Sequence, residues 1–183
     1  VFIIGLTLLG LAAGAGYSII KTPEYEATAK VFVSVQTSGS VSDLTQGAGF
    51  AQNQVQSYVD VVTTPVVLQP VVSALDLNLS VEQLASKVTA TSPLDTVIVM
   101  ITVEDESPLR AAEVANAVAS SFESTVGNLV PENAEGVTPV KITLLQQALI
   151  PGAPSSPNVP LNLIAGGVIG LALGVGIAIL RGV

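Results

Sequence analysis

The sequence predicts an α+β domain that lies outside the cytoplasm, between two transmembrane helices. Residues 1–20 and residues 161–180 carry no charged side chain, and the residues between them alternate strand and helix patterns. Twenty helical residues span about 30 Å, the thickness of the hydrocarbon core of a bilayer. We therefore divide the chain into a first transmembrane helix (1–20), an α+β domain (21–150), a proline-rich neck (151–160) and a second transmembrane helix (161–180).

The first span ends at an interfacial signature. Tyr17 lies near its polar edge, and Lys21 is the first charged residue of the chain. The alternative is a cleaved signal peptide, but its apolar region would be shorter, about 7–15 residues, and would follow basic residues. Because residue 1 is Val rather than Met, we expect the natural chain to begin upstream.

The second span is closed by Arg181, and its one strongly polar residue, Asn162, lies at the edge where the span begins. The alternative is a buried core helix, but soluble helices of this length normally have a polar face. Arg181 favours a cytoplasmic C-terminus. Two spans then put both termini in the cytoplasm and the domain outside.

Both spans carry small residues at every fourth position, which places a smooth stripe on one helix face where another backbone can approach closely. The first span has Gly10 and Gly14, and the second has Gly166, Gly170, Gly174 and Ala178. We expect these residues to pack transmembrane helices, in an oligomer larger than a dimer. The alternative is that glycine is simply common in membrane helices.

Three segments of the domain have strand patterns. Residues 27–35 alternate apolar and polar side chains, residues 97–103 form a β-branched run expected to be the central strand, and residues 140–149 form a last strand. Residues 36–49 and a segment containing Pro131 and Gly136 read as loops.

Helical patterns fill the gaps between the strands. Residues 55–62 keep helical spacing, Thr64-Pro65 starts a short helix, and Ser80 with Gln83 forms a capping box. Ser107-Pro108 opens the longest helix of the domain, which we expect to end near Gly127 or Asn128. The order strand, helices, strand, helix, strand suggests a layer of helices on one face of a sheet.

The neck has a threefold repeat. Pro151, Pro154, Pro157 and Pro160 recur at every third residue. Polyproline II has three residues per turn, so this spacing predicts a stiff extended rod directly before the second span. The alternative is a loose linker.

Composition excludes several kinds of chemistry. The 183 residues include no cysteine and no histidine, which excludes disulfides, thiolate metal sites and histidine-based catalysis. The acidic run Glu104-Asp105-Glu106 could bind a hard cation, but a solvated turn before a helix is the simpler interpretation. A Ser–Lys catalytic pair stays open. We expect no catalytic residue, no cofactor and no metal.

Net charge is −8, and the basic residues are scattered, so we expect no nucleic-acid partner.

The chain resembles the Wzz-type chain-length determinants, the bacterial polysaccharide co-polymerases, over nearly its whole length. The resemblance rests on Tyr-Glu-Ala-Thr-Ala at residues 25–29, on Tyr58 followed by Thr-Thr-Pro-Val-Val-Leu at residues 63–68, and on the strand, turn and helix of residues 103–117. The prolines of residues 154–160 before a glycine-rich span are its most specific part. The helix after Ser107 is shorter than in O-antigen regulators, so the chain looks like the compact capsule or exopolysaccharide type.

The resemblance implies a non-enzymatic scaffold that forms a ring and works with a polysaccharide polymerase or exporter. It also implies coupling to a cytoplasmic tyrosine autokinase, either fused after Val183 or encoded separately. The alternative from another class is the extracytoplasmic sensor domain of a signalling receptor.

Overall fold

The computed structural model describes residues 2–35, 55–94, 96–129 and 140–182. The chain forms two compact units: a helical unit of Val1–Tyr25 with Ala153–Val183, and a domain of Glu26–Gly152. The two loop segments that the sequence predicts, residues 36–49 and the segment around Pro131 and Gly136, lie outside the described residues.

The helical unit consists of α1 (Phe2–Ile20) and a second long helix (Val159–Gly182). Both are long and apolar enough to cross a bilayer, with mean hydropathy of 1.9 over Ile3–Ile20 and 2.5 over Val159–Leu180. Almost none of Ile3–Ile20 and only 11% of Val159–Leu180 is buried. The alternative of a buried core helix is therefore wrong for the second span.

The domain contains four strands and four helices among the described residues. In chain order they are β1 (Tyr25–Val35), α2 (residues 55–62), α3 (Pro65–Ala74), α4 (Val81–Lys87), β2 (Val88–Thr91), β3 (Ile98–Asp105), α5 (Pro108–Leu129) and β4 (Val140–Gln146). The second long helix of the chain is accordingly α6. The α+β class that the sequence predicts is confirmed.

The four strands form one sheet in the order β2-β3-β1-β4, so β3 is an interior strand, as its β-branched composition predicts. β1 pairs with β4 and β2 pairs with β3, both antiparallel. Alternate residues of each strand point toward a core that is rich in valine, because β-branched side chains suit a pleated surface with one buried face.

Helix α5 covers the inner face of the sheet. Its apolar stripe includes Ala111, Ala115, Val118 and Phe122, which are all fully buried. It packs against β3, β4 and α3. The sequence therefore located this helix correctly, from its start after Ser107 to its end near Asn128.

Two local details differ from the sequence-based expectations. Strand β2 was not predicted, because four residues directly after α4 carry too short a pattern to stand out. Thr64 does occupy the N-cap position of α3, but its hydroxyl donates to the Val61 carbonyl at 2.6 Å and does not cap the helix. The Ser80 capping box is confirmed: Ser80 and Gln83 exchange both side chain–backbone hydrogen bonds.

The neck is not the straight rod that the proline spacing predicts. The backbone bends at residues 152–153, 155 and 157. Pro160 already belongs to the first turn of α6, where its missing N–H costs no hydrogen bond. Asn158 begins that helix, since its side-chain oxygen accepts from the backbone N–H of Leu161 at 3.2 Å. The threefold prolines therefore lead into a capped helix start rather than one continuous polyproline II segment.

Candidate functional site

The glycines of the two apolar helices lie against each other within one chain. A Cβ built on Gly10 would collide with the carbonyl oxygen of Gly166, and one built on Gly14 would lie 2.5 Å from the carbonyl oxygen of Asn162. At these two points the backbones of α1 and α6 touch with no side chain between them, which is the close approach that small residues allow.

The same contact continues along α6 in steps of four residues. A Cβ on Gly170 would collide with the Leu6 carbonyl oxygen, and one on Gly174 would lie 2.8 Å from Cα of Ile3. As the α6 residue number rises the α1 number falls, so the two helices run antiparallel. Ala178 lies one step further along the same helix and is half-buried.

Glycines elsewhere in these helices show that the contact is selective. A Cβ on Gly5, Gly16 or Gly176 would meet no atom within 4 Å. A larger side chain would therefore push α1 and α6 apart at the glycines spaced four residues apart, but not at these three positions. We call the surface formed by Gly10, Gly14, Gly166, Gly170 and Gly174 the glycine seam.

A short polar chain crosses the seam near its end at Ser18 and Asn162. The Asn162 amide donates to the Ser18 hydroxyl at 2.9 Å, and this hydroxyl donates to the Gly14 carbonyl at 3.1 Å. Ser18 is buried. Asn162 stands out in the sequence as a polar exception in an apolar span, but no sequence pattern identifies Ser18 as its partner.

The chain leaves α1 and re-enters α6 at a junction that is also held together by hydrogen bonds. The backbone N–H of Glu24 donates to the Ser156 carbonyl at 2.9 Å, and the Ser155 N–H donates to the Glu24 carbonyl at 2.8 Å. Lys21 donates to the Ser156 hydroxyl at 3.0 Å and lies 3.7 Å from the Glu24 carboxylate. The residues before β1 and the residues before α6 therefore form one small two-stranded contact.

In the domain, Asp105 is the centre of an ionic cluster. It is only 5% exposed, and its carboxylate lies 3.0 Å from Lys87 and 3.9 Å from Arg110. The same carboxylate accepts from the backbone N–H of Ser107 at 3.0 Å, just before α5 begins. The expectation of a solvated turn at residues 104–106 is wrong for Asp105, although Glu104 and Glu106 are exposed. The described residues contain no cluster of acidic side chains that could hold a metal ion.

Two side chains of α5 fasten neighbouring segments to the helix. Asn116 exchanges two hydrogen bonds with the backbone of Ala148, donating at 3.1 Å and accepting at 2.8 Å. Ser121 donates to the Val67 carbonyl of α3 at 2.6 Å. These contacts fix the chain after β4 and the start of α3 to the longest helix of the domain.

Comparison with known proteins places this arrangement in a family. The capsular polysaccharide biosynthesis protein CpsC of Streptococcus agalactiae is 31% identical over 189 residues, which covers 100% of this chain and 77% of that protein. The profile of the Wzz family, described as chain length determinant protein, matches residues 1–75. The chain belongs to the Wzz chain-length determinant family.

Other family members match over most of the chain. CpsC of Streptococcus pneumoniae is 31% identical over 156 residues, 82% of this chain and 64% of that protein. The probable capsular polysaccharide biosynthesis protein YwqC of Bacillus subtilis is 27% identical over 178 residues, 96% of this chain and 69% of that protein. A solved structure, a full-length bacterial polysaccharide co-polymerase, aligns with a TM-score of 0.50 at 11% identity and covers 99% of this chain and 93% of its own. That last likeness concerns the fold alone.

The motifs that carry the family resemblance lie at the starts of structural elements. Residues 25–29 begin β1, residues 63–68 lead into α3, and residues 103–117 contain the end of β3, the Asp105 cluster and the first half of α5. Asn116, which holds Ala148, belongs to the third motif. In this Wzz family member the motifs therefore coincide with the points where the elements of the domain are joined to one another.

Proposed function

We propose that this chain is a non-enzymatic membrane scaffold that regulates the chain length, polymerisation or export of a surface polysaccharide, capsule or exopolysaccharide. The observation that carries the proposal is the match to CpsC over the whole chain, including both spans and the domain. The glycine seam supports it, because a hairpin of two apolar helices anchors the domain without offering any reactive group.

The proposed topology places the domain of residues 21–150 outside the cytoplasm and both termini inside. A reporter enzyme that is active only outside the cytoplasm should work when inserted at Gly39 and should be inactive when fused after Val183. Activity of the fusion at Val183 would refute a two-span hairpin with this orientation.

The chain works in an oligomer larger than a dimer, which we propose to be a ring around the polysaccharide polymerase or export machinery. The glycine seam is occupied by contacts within one chain. We therefore assign the contacts between copies to other surfaces of the spans and of the domain. Native mass measurement in detergent distinguishes this assembly from the dimer expected of a sensor receptor.

The proposed regulator of the ring is a cytoplasmic tyrosine autokinase, fused after Val183 or encoded as a separate chain. A ring holds several kinase modules at high effective concentration, so that one can phosphorylate its neighbour. The added charge would then weaken the contacts between subunits. The absence of a P-loop protein with a tyrosine-rich tail, both beyond Val183 and in the neighbouring genes, would remove this part of the proposal.

The central experiment is a deletion of the gene followed by complementation. We expect the deletion to change the amount and the size distribution of the surface polysaccharide, measured by gel electrophoresis of the extracted polymer, and the wild-type chain to restore both. Gly170→Ile should fail to restore them because it separates α1 from α6, whereas Gly176→Ile, at a position with open space, should succeed. An unchanged polymer in the deletion strain would refute the scaffold function.

A further inference from the structure

The sheet has a second face that the described helices do not cover. Alternate residues of each strand point away from the buried core, and helix α5 packs on the opposite, inner face. The outward-facing residues differ between the strands. β1 presents Thr28, Lys30, Phe32 and Ser34, and β4 presents Lys141, Thr143 and Leu145, whereas β3 presents Ile98, Met100 and Thr102.

An aromatic ring lies between two lysines on this face. Lys30 and Phe32 are two positions apart on β1 and therefore lie on the same face. Thr143 of β4 is paired directly with Phe32. Lys141, two residues before Thr143 on β4, is paired with Ser34. Phe32 is 39% exposed, which is unusual for the one phenylalanine of an interior strand. We call Lys30, Phe32 and Lys141 the Lys–Phe patch.

The patch is basic in an acidic protein. The chain carries a net charge of −8. Of the basic residues in the domain, Lys87 and Arg110 pair with Asp105, whereas Lys30 and Lys141 lie within 4.0 Å of no carboxylate among the described residues. Within the described part of the chain, no carboxylate therefore competes with a ligand for these two ammonium groups.

The acidic residues of the same face lie toward its other end. Glu26 is four residues before Lys30 on β1, about 13 Å away at the rise of a strand. Glu104 is at the far end of β3, beyond Thr102. At physiological ionic strength the Debye length is about 8 Å, so Glu26 does not neutralise the Lys–Phe patch.

We propose that the Lys–Phe patch binds a segment of an anionic polysaccharide. An exposed aromatic ring can pack against the apolar face of a sugar ring, and flanking ammonium groups can donate hydrogen bonds to its carboxylates. Ser34 and Thr143 add hydroxyl groups that can bond to sugar hydroxyls. A sheet face that no described helix covers suits an extended polymer better than a small molecule, which normally needs a concave pocket. The oligosaccharide-binding faces of OB-folds are also built on strands.

The inference rests on the proposed function, because it names the polymer itself as a ligand of the domain. It adds a direct contact with sugar, which a purely mechanical scaffold would not need.

The test uses the full chain in nanodiscs of phosphatidylcholine, with polygalacturonate as the anionic probe and dextran as the neutral one. We expect polygalacturonate to bind and dextran not to bind, measured by microscale thermophoresis. Lys30→Gln with Lys141→Gln should weaken the Kd for polygalacturonate about tenfold, because two charge-assisted contacts are lost. Phe32→Ala should weaken it further in the same background.

The matched control is Gln56→Glu with Gln69→Glu. These exposed residues of α2 and α3 are far from the patch in sequence, and their substitution lowers the net charge by the same two units. The control should keep the wild-type Kd.

No binding of polygalacturonate to the wild type, equal binding of dextran, or an equal loss in the control would each overturn the proposal. An unchanged Kd for polygalacturonate in the double lysine variant would also overturn it. The same holds if the wild-type chain binds anionic phosphatidylglycerol vesicles more tightly than polygalacturonate. None of these results touches the deletion phenotype, so the patch can fail while the scaffold function stands.

Discussion

The helical unit and the domain hold their backbones together by opposite means. In the domain, valines and a central phenylalanine fill the space between the sheet and α5. Between α1 and α6, side chains are absent where contact is closest, and carbonyl oxygens rest directly on glycines. The hydrophobic effect stabilises the packing of the domain, because burial removes apolar surface from water. Lipid tails are as apolar as the helices, so the pairing of α1 with α6 depends on close packing and on hydrogen bonds.

This comparison predicts that removing atoms is harmful in the domain and adding atoms is harmful between the helices. The largest effect should come from Phe122→Ala, which leaves a cavity beside α5 where the ring is fully buried. We expect a loss of about 3–5 kcal/mol in the free energy of unfolding of the domain. The control Leu109→Ala, on the 52% exposed side chain of the same helix, should cost about 0.5 kcal/mol or less. Scanning calorimetry of the full chain in detergent measures both.

The reverse change, an added methyl group, should weaken the helix pair. Gly170→Ala places a Cβ against the Leu6 carbonyl oxygen, and we expect overpacking of about 1–3 kcal/mol. Gly176→Ala, with open space around it, should have no effect. The chain has no cysteine of its own, so cross-linking of a Leu11→Cys, Gly167→Cys pair reports helix pairing in membranes. Equal cross-linking in the two variants would mean that close backbone contact does not stabilise the pair.

A pair of asparagines sharpens the comparison, because each region has one that makes a defined contact. Asn116→Ala removes both hydrogen bonds to the backbone of Ala148 and leaves polar groups of the domain without partners. We expect a loss of about 2 kcal/mol, together with faster hydrogen exchange at Ala148. Unchanged exchange at Ala148 would show that the segment after β4 is held by packing alone.

The smallest effect should come from the other asparagine. Asn162→Leu removes the hydrogen bond to Ser18 but keeps an apolar side chain of similar size in the span. Hydrogen bonds between membrane helices average about 0.6 kcal/mol, so the cross-linked fraction should fall only slightly. A loss as large as that of Gly170→Ala would mean that the polar chain, rather than the glycine seam, holds α1 to α6.

The sequence predicts well what depends on local pattern. Two uncharged spans, the Ser80 capping box and the 22-residue helix α5 follow from length, capping chemistry and period, and the structure has them. The sequence also shows that Gly166 and Gly170 can meet a backbone. It cannot show that this backbone is α1 of the same chain, because a stripe of small residues carries no information about its partner.

What the sequence misses depends on tertiary context. Asp105 lies in an acidic run, which indicates solvent, yet Lys87 reaches it from another element and allows its burial. The neck prolines keep a regular period, but the capped start of α6 at Asn158 takes Pro160 into the helix and ends that period. Both outcomes depend on side-chain contacts that the periodicity of the sequence does not reveal.

The junction at Glu24 and Ser156 also makes the helical pair independent of the length of the chain between them. Because the chain leaves α1 and returns to α6 within hydrogen-bonding distance, everything between them is an insertion into a self-contained hairpin. Insertions are tolerated where the two ends of the inserted segment lie close together. Changes in the size or surface of the domain can therefore leave the glycine seam of this chain unchanged.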